Sequence, residues 1–188
     1  MGAAVGAQTP IKIALFDTPV GTEHGDRVYQ YLKKKIRTCR ICSIQRFNFF
    51  DDTNKVDSIK FLNHLKKLDS EIQILHLSWN VPYEAKYFPI IEELNKKIAR
   101  GLIVVAASGE SQSPSEINLE LKDTVMGKVK GIRLIGELNS KGRLAINAFY
   151  GPDINKSYPT IKDHPGSSFT SLHETAKIAL ELARQSKK

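Results

Sequence analysis

Six consecutive apolar residues, Leu102-Ile-Val-Val-Ala-Ala107, give a β-strand nothing polar to turn toward water on either face. A strand of that kind belongs in a parallel sheet covered on both sides, and parallel strands need crossover segments, usually helices. The rest of the chain supplies them. Ile11 to Phe16 is a short buried strand ending at Asp17, and Val28, Tyr31, Leu32 and Ile36 follow at helical spacing. Ile41 to Phe50 reads as a second strand, and Val56, Ile59, Leu62, Leu65 and Leu68 form one helical stripe. Ile72 to Leu77 is strand again, and Ile90 to Ala99 is a helix closed by Gly101 just past its end. Beyond Ala107 two more strands are expected, Gly131 to Gly136 and Leu144 to Phe149, joined by the turn Asn139-Ser-Lys-Gly142. A loop rich in Pro, Asp and Lys then leads to a C-terminal helix from about Ser168 to Arg184. This alternation predicts an α/β fold, a doubly wound parallel sheet with helices on both faces.

Such sheets bind their ligands at the C-terminal ends of the strands. Asp17, Ser78, Ser108 and Gly109 fall there, so the topology nominates a site before any motif is considered. The length, 188 residues, suits one domain, with residues 1–10 as a weakly apolar lead-in and 11–188 as the folded unit. No run of eighteen or more apolar residues is present, and the start lacks the charged and apolar regions of a secretory signal. The expected location is therefore cytoplasmic, or across a membrane by a route without a classical signal peptide.

The 28 basic and 20 acidic residues leave a net charge of +8, which raises the question of an anionic partner. Lys33-Lys34-Lys35, Lys66-Lys67 and Lys96-Lys97 sit where predicted helices end, however, and cations there complement the helix dipole. Solvated helix ends account for the charge, and nucleic acid is not an expected partner. Cys39 and Cys42 form a lone CxxC with no second Cys/His pair to complete a zinc site. The segment from Ile36 to Phe50 reads as largely extended, which would point the two side chains to opposite faces. Two free thiols are expected, with no metal and no cofactor.

Three patterns carry chemistry. Ala14-Leu-Phe-Asp-Thr18 sets a carboxylate at the tip of a buried strand, His24-Gly25 opens a helix, and serines open the last helix in Gly166-Ser-Ser-Phe-Thr-Ser-Leu-His173. A hydroxyl nucleophile needs an imidazole base within reach, and that base needs an orienting carboxylate. A helix N-terminus adds N–H donors for a developing oxyanion. Singly, each residue has a plain alternative: a turn aspartate, a surface histidine, an N-cap serine. The order Asp, His, Ser is one known for catalytic triads.

Taken with His76-Leu-Ser-Trp-Asn80 and Ala106-Ala-Ser-Gly-Glu110, these patterns resemble, in order, the five motifs of the subtilisin-like serine proteases. Ile132 to Glu137 and Ala145 to Phe149 resemble the strand pair that precedes the serine motif, so the similarity runs from residue 11 to 184. The resemblance implies a subtilisin-like fold in which the nucleophile serine opens the C-terminal helix. It makes Ser168 the nucleophile, His24 the general base and acid, and Asp17 the orienting carboxylate. Ser167, the rival serine, aligns with the family's threonine. Ser78, Trp79 and Asn80, with Ala107, Ser108 and Gly109, would flank the substrate, and His173 would serve packing.

Departures from the pattern bear on activity. Only six residues separate Asp17 from His24, Pro19 stands where the family has Gly, and Leu172 replaces a proline. Glu110 takes the place of the family's oxyanion asparagine, so the oxyanion would meet Glu110 together with the N–H of Ser168. An ionised carboxylate there would repel the oxyanion, whereas a protonated one could donate to it. Two functions follow: a serine endopeptidase that hydrolyses peptide bonds through an acyl-enzyme, or an impaired pseudo-protease of the same fold that binds a peptide or protein.

Overall fold

The computed structural model describes residues 9–18, 21–51, 53, 55–111, 119–145 and 147–186. Six strands, β1 (Ile11–Asp17), β2 (Cys42–Asn48), β3 (Ile72–Leu77), β4 (Ile103–Ala107), β5 (Arg133–Leu138) and β6 (Ile154–Pro159), form one sheet in the order β2-β1-β3-β4-β5-β6. Every ladder is parallel. Four α-helices connect or follow the strands: α1 (Glu23–Lys35), α2 (Ser58–Lys66), α3 (Phe88–Ala99) and α4 (Ser167–Gln185).

Period-two alternation divides each central strand between two cores. Ile13 and Leu15, with Ile74, Val105 and Ile135, pack against Val28 and Leu32 of α1 and Phe169, Leu172 and Ala179 of α4. Ala14 and Phe16, with Leu75, Leu77, Val104 and Ala106, face Phe61 and Leu65 of α2 and Ile90 and Leu94 of α3. Helices therefore cover both faces, as the all-apolar strand requires. None of the described helices is long and apolar enough to cross a membrane.

Local chemistry sets the helix limits. Thr22 caps α1 by accepting from Gly25 N, and Glu23 and Asp26 lie in its first turn with Lys33, Lys34 and Lys35 in its last. Asp57 caps α2 through Ile59 N and Lys60 N. Gly101 follows α3 with φ +99°, a value that a side chain would disfavour.

Four expectations are corrected. Cys39 and Cys42 are not free thiols but a disulfide. The chain turns between α1 and Cys42 instead of extending, which brings the two Cα atoms to 5.4 Å. Among the described residues of the stretch from Leu144 to Phe149 there is no strand; Leu144 and Ala148 make isolated bridges to Leu138 and Glu110, while Phe149 is buried in the core. The sixth strand lies in the stretch read as a loop, at Ile154–Pro159, where an edge position tolerates lysine and a closing proline. Ile59 is 73% exposed, and the buried face of α2 is instead Phe61 and Leu65, which continues into Leu68. The turn at Asn139 forms as expected, closed by Asn139 N to Arg143 O at 2.7 Å. The strand expected at Gly131 to Gly136 runs two residues later. Residues 1–8 of the expected lead-in, and Pro19, lie outside the described residues.

Candidate active site

The strand order reverses direction between β1 and β3, and a crevice opens at the C-terminal ends of such neighbours. Asp17 ends β1 there, 4% exposed. Ser78, just past β3, is tied to the same place by its N–H, which donates to Phe16 O at 3.3 Å. Asp17 Oδ1 accepts from Thr18 N at 2.5 Å and from Thr18 Oγ1 at 3.0 Å. Burial pushes the Asp17 carboxyl above its ordinary range, and it outweighs the lowering effects of the Ser78 hydroxyl, His24 and Thr18.

His24 is the second residue of α1, and its Nε2 lies 3.7 Å from Asp17 Oδ1, a contact longer than a hydrogen bond. Its ring meets the Phe169 ring edge-on at 5.8 Å. Phe169 follows Ser168, so the N-termini of α1 and α4 meet beside Asp17. Ser168 is the second residue of α4, half-buried, and its Oγ donates to Ser78 O at 3.3 Å. Ser167 is buried at 3% exposure. Among the described residues no hydrogen bond joins Ser168 to His24 in this conformation.

Carboxyl groups from two strand ends cap α4. Glu110, after β4, accepts from Ser167 N through Oε1 at 2.8 Å, and Glu137 of β5 accepts from Gly166 N at 2.9 Å. Phe169 N and Thr170 N both reach Gly166 O. Among the described residues, Ser168 N–H is left as the one early helical donor without an acceptor. Glu110 is thus an acceptor at the helix N-terminus in this conformation, where a donor to an oxyanion would have to turn its proton the other way.

The six residues expected to flank a substrate come together, but largely inside the protein. Trp79 packs among Phe49, Phe61 and Tyr87. The Asn80 amide donates to Ser108 O at 2.7 Å and Thr124 Oγ1 at 3.0 Å and accepts from Met126 N. Ala107, Ser108 and Gly109 are buried, so only Ser78 of the six is partly open. A Cβ on Gly109 would stand 2.8 Å from the Phe149 ring and 2.9 Å from Asn80 Cβ, at φ +86°. Gly109→Ala is therefore expected to destabilise the fold by about 2 kcal/mol or more, read as a lowered unfolding midpoint in urea. An unchanged midpoint would mean that the Phe149–Asn80 contact is looser than these distances.

Sequence reasoning missed Glu137 as a cap of α4, and the contact of buried His76 Nδ1 with Thr175 Oγ1 at 2.7 Å. The first was signalled by a carboxylate at the tip of a buried strand, the same signal that marked Asp17. His173 packs on the Tyr158 ring at 4.9 Å. Among the described residues, no group of three or more His, Cys, Asp or Glu side chains is placed to hold a metal.

The backbone superposes on a cold-adapted subtilisin-like serine proteinase with a TM-score of 0.69, covering 93% of this chain and 76% of that one at 12% identity. The fold is subtilisin-like. A lanthipeptide protease gives the same TM-score and identity over 90% of this chain and 72% of its own. The prenylagaramide maturation protease PagA gives 0.64 and 12%, over 97% and 78%. No protein-family model and no curated protein matches the sequence. A subtilisin-like backbone at this identity fixes the sheet, the helices and the place of α4 at the strand ends, which is the frame that brings Asp17, His24 and Ser168 to one edge.

Proposed function

We propose that the chain is a serine endopeptidase, with Ser168 as nucleophile, His24 as general base and acid, and Asp17 as the carboxylate that orients His24. The observation that carries this reading is the meeting of two helix N-termini over a buried carboxylate, with His24 3.7 Å from Asp17 and edge-on to Phe169, the residue next to the half-open Ser168. The imidazole nitrogen that does not face Asp17 takes the Ser168 proton as Oγ attacks the peptide carbonyl. The unpartnered Ser168 N–H, at the positive end of α4, receives the oxyanion. Collapse passes the proton to the leaving amine, and water then releases the acyl group by the same steps in reverse. The likeness to solved serine proteases supports a peptide or protein as the substrate.

A second reading, a pseudo-protease that binds a peptide or protein partner, is favoured by two observations. Glu110 occupies Ser167 N–H beside the oxyanion position, and Phe149 and Asn80 fill the space around Gly109. A fluorophosphonate probe separates the two. The expected result is covalent labelling of the wild type and of Ser167→Ala, with none of Ser168→Ala. Absence of labelling from acidic to alkaline pH would turn the assignment to the binding module.

A further inference from the structure

The fold buries a histidine that this mechanism leaves idle. His76 lies in β3 with no exposed surface, its ring held between α4 and the strand tip. Its Nδ1 is 2.7 Å from Thr175 Oγ1, and its Nε2 is 2.9 Å from Ser78 Oγ. Burial pushes its pKa down to about 3, so the imidazole is neutral, with one donor and one acceptor nitrogen.

The two ends of this chain of polar groups decide which nitrogen holds the proton. At one end stands Asp17, whose carboxylate in its ionised form can only accept. The Ser78 hydroxyl acts on it and lowers its pKa, while Oδ2 is buried with no partner at standard hydrogen-bond geometry. At the other end stands Thr175. Thr170 and Ser171 on the same helix donate their hydroxyl protons to the carbonyls of Ser167 and Ser168, but the partner of the Thr175 hydroxyl is His76 Nδ1. Each hydroxyl has a single proton. If Nε2 were bare, Ser78 would donate to it and have nothing left for Asp17. If Thr175 donates to Nδ1, Nε2–H donates to Ser78 Oγ, and every group is satisfied with the last proton directed at the carboxylate.

We propose that His76 is a positioning residue for the site: as the Nε2–H tautomer it donates to Ser78 Oγ and so turns the Ser78 proton onto the carboxylate of Asp17. The inference rests on the protease reading for its catalytic consequence, not for its geometry. A hydroxyl proton aimed at the carboxylate from behind favours its ionised form and leaves Oδ1 to face His24. The groups facing Asp17 are His24, Thr18 and Ser78, and no charged group contributes to the shift at His76.

The first measurement needs no variant: the ring nitrogen shifts of His76 in a long-range proton–nitrogen spectrum of the whole protein. The expected result is a protonated Nε2 and an accepting Nδ1, unchanged from neutral to mildly acidic pH; a protonated Nδ1 overturns the proposal. Thr175→Val is near-isosteric and removes the donor to Nδ1. It should raise the Asp17 carboxyl titration midpoint and lower kcat roughly tenfold with KM unchanged, and Thr175→Ser should restore both. An Asp17 midpoint that does not move in Thr175→Val also overturns it. Failure of Ser168 to label sinks the protease reading yet leaves the tautomer and the Asp17 titration to decide this one.

Discussion

Asp17→Asn should lower kcat by about 10⁴-fold and, at neutral pH, raise the melting temperature. The first effect follows from the carboxylate's task. On the proposed reading, an amide of the same shape could not balance an imidazolium formed as Ser168 loses its proton, and it would favour the wrong imidazole tautomer. The second effect follows from burial, which raises the Asp17 pKa in the folded state above its unfolded value. The native state then holds that proton more tightly than the unfolded chain does. Stability falls as pH rises from the unfolded pKa through the folded one, and the cost of the buried charge is fully present above both. The amide has no charge to bury, keeps an oxygen for Thr18 N and Thr18 Oγ1, and its NH₂ meets Ser78 Oγ once the hydroxyl proton turns back toward His76 Nε2. The melting temperatures of wild type and variant should converge in acid and separate toward neutral pH, the variant on top. A gap that is widest in acid, or a variant that melts lower at neutral pH, would show that the hydrogen bonds from Thr18 and the influence of the Ser78 hydroxyl outweigh desolvation. A loss of kcat of only a few-fold would show that Asp17 does not orient the base.

How much of this was legible beforehand depended on whether a residue's neighbours lie near it in sequence. The central strands announced themselves because Ile13 and Val104 belong to apolar runs and Ile74 to a strand that is apolar but for Gln73 and His76, the composition that burial on both faces favours. From that alone followed the parallel sheet, the helices on both faces and Asp17 at a strand tip. β6 stayed hidden because an edge strand with one neighbour can be built from Asn, Lys, Ser and Tyr. Leu144 to Phe149 looked like a strand because Phe149 is apolar for another reason, packing against Gly109 across the end of β4. The Cys39–Cys42 bond was missed because a turn was read as extended chain. His76 gave no local sign either, since a histidine in an apolar strand is ambiguous until its partner is known, and Thr175 lies 99 residues away. The same holds for Glu110, whose partner Ser167 is 57 residues downstream. The sequence marked it as a departure from the protease pattern, but only the fold shows it accepting a hydrogen bond at the start of α4.

That contact leads to the second large effect: Glu110→Gln should raise the rate of fluorophosphonate labelling of Ser168 by about 10²-fold. Glu110 Oε1 sits 2.8 Å from Ser167 N, one residue before the open Ser168 N–H that would meet the oxyanion. A carboxylate there places an acceptor where negative charge develops, and it draws on the same helix-end potential that should stabilise the transition state. Glutamine keeps the length and an oxygen for Ser167 N, and it replaces the second oxygen with an NH₂ donor. One oxyanion donor is worth about 10²–10³ in rate, so the gain should lie near the lower end of that range, because the donor is not preorganised by evolution. Glu110→Ala separates the two contributions: it removes the carboxylate without adding a donor and should give a smaller gain. Both variants lose a carboxylate at a helix N-terminus, which should cost about 0.3–1 kcal/mol of stability. If labelling falls in Glu110→Gln instead, the carboxyl group itself takes part as a proton donor. If both variants label as slowly as the wild type, the limit on Ser168 lies elsewhere, and the filled space around Gly109, closed by Phe149 and Asn80, becomes the feature to open.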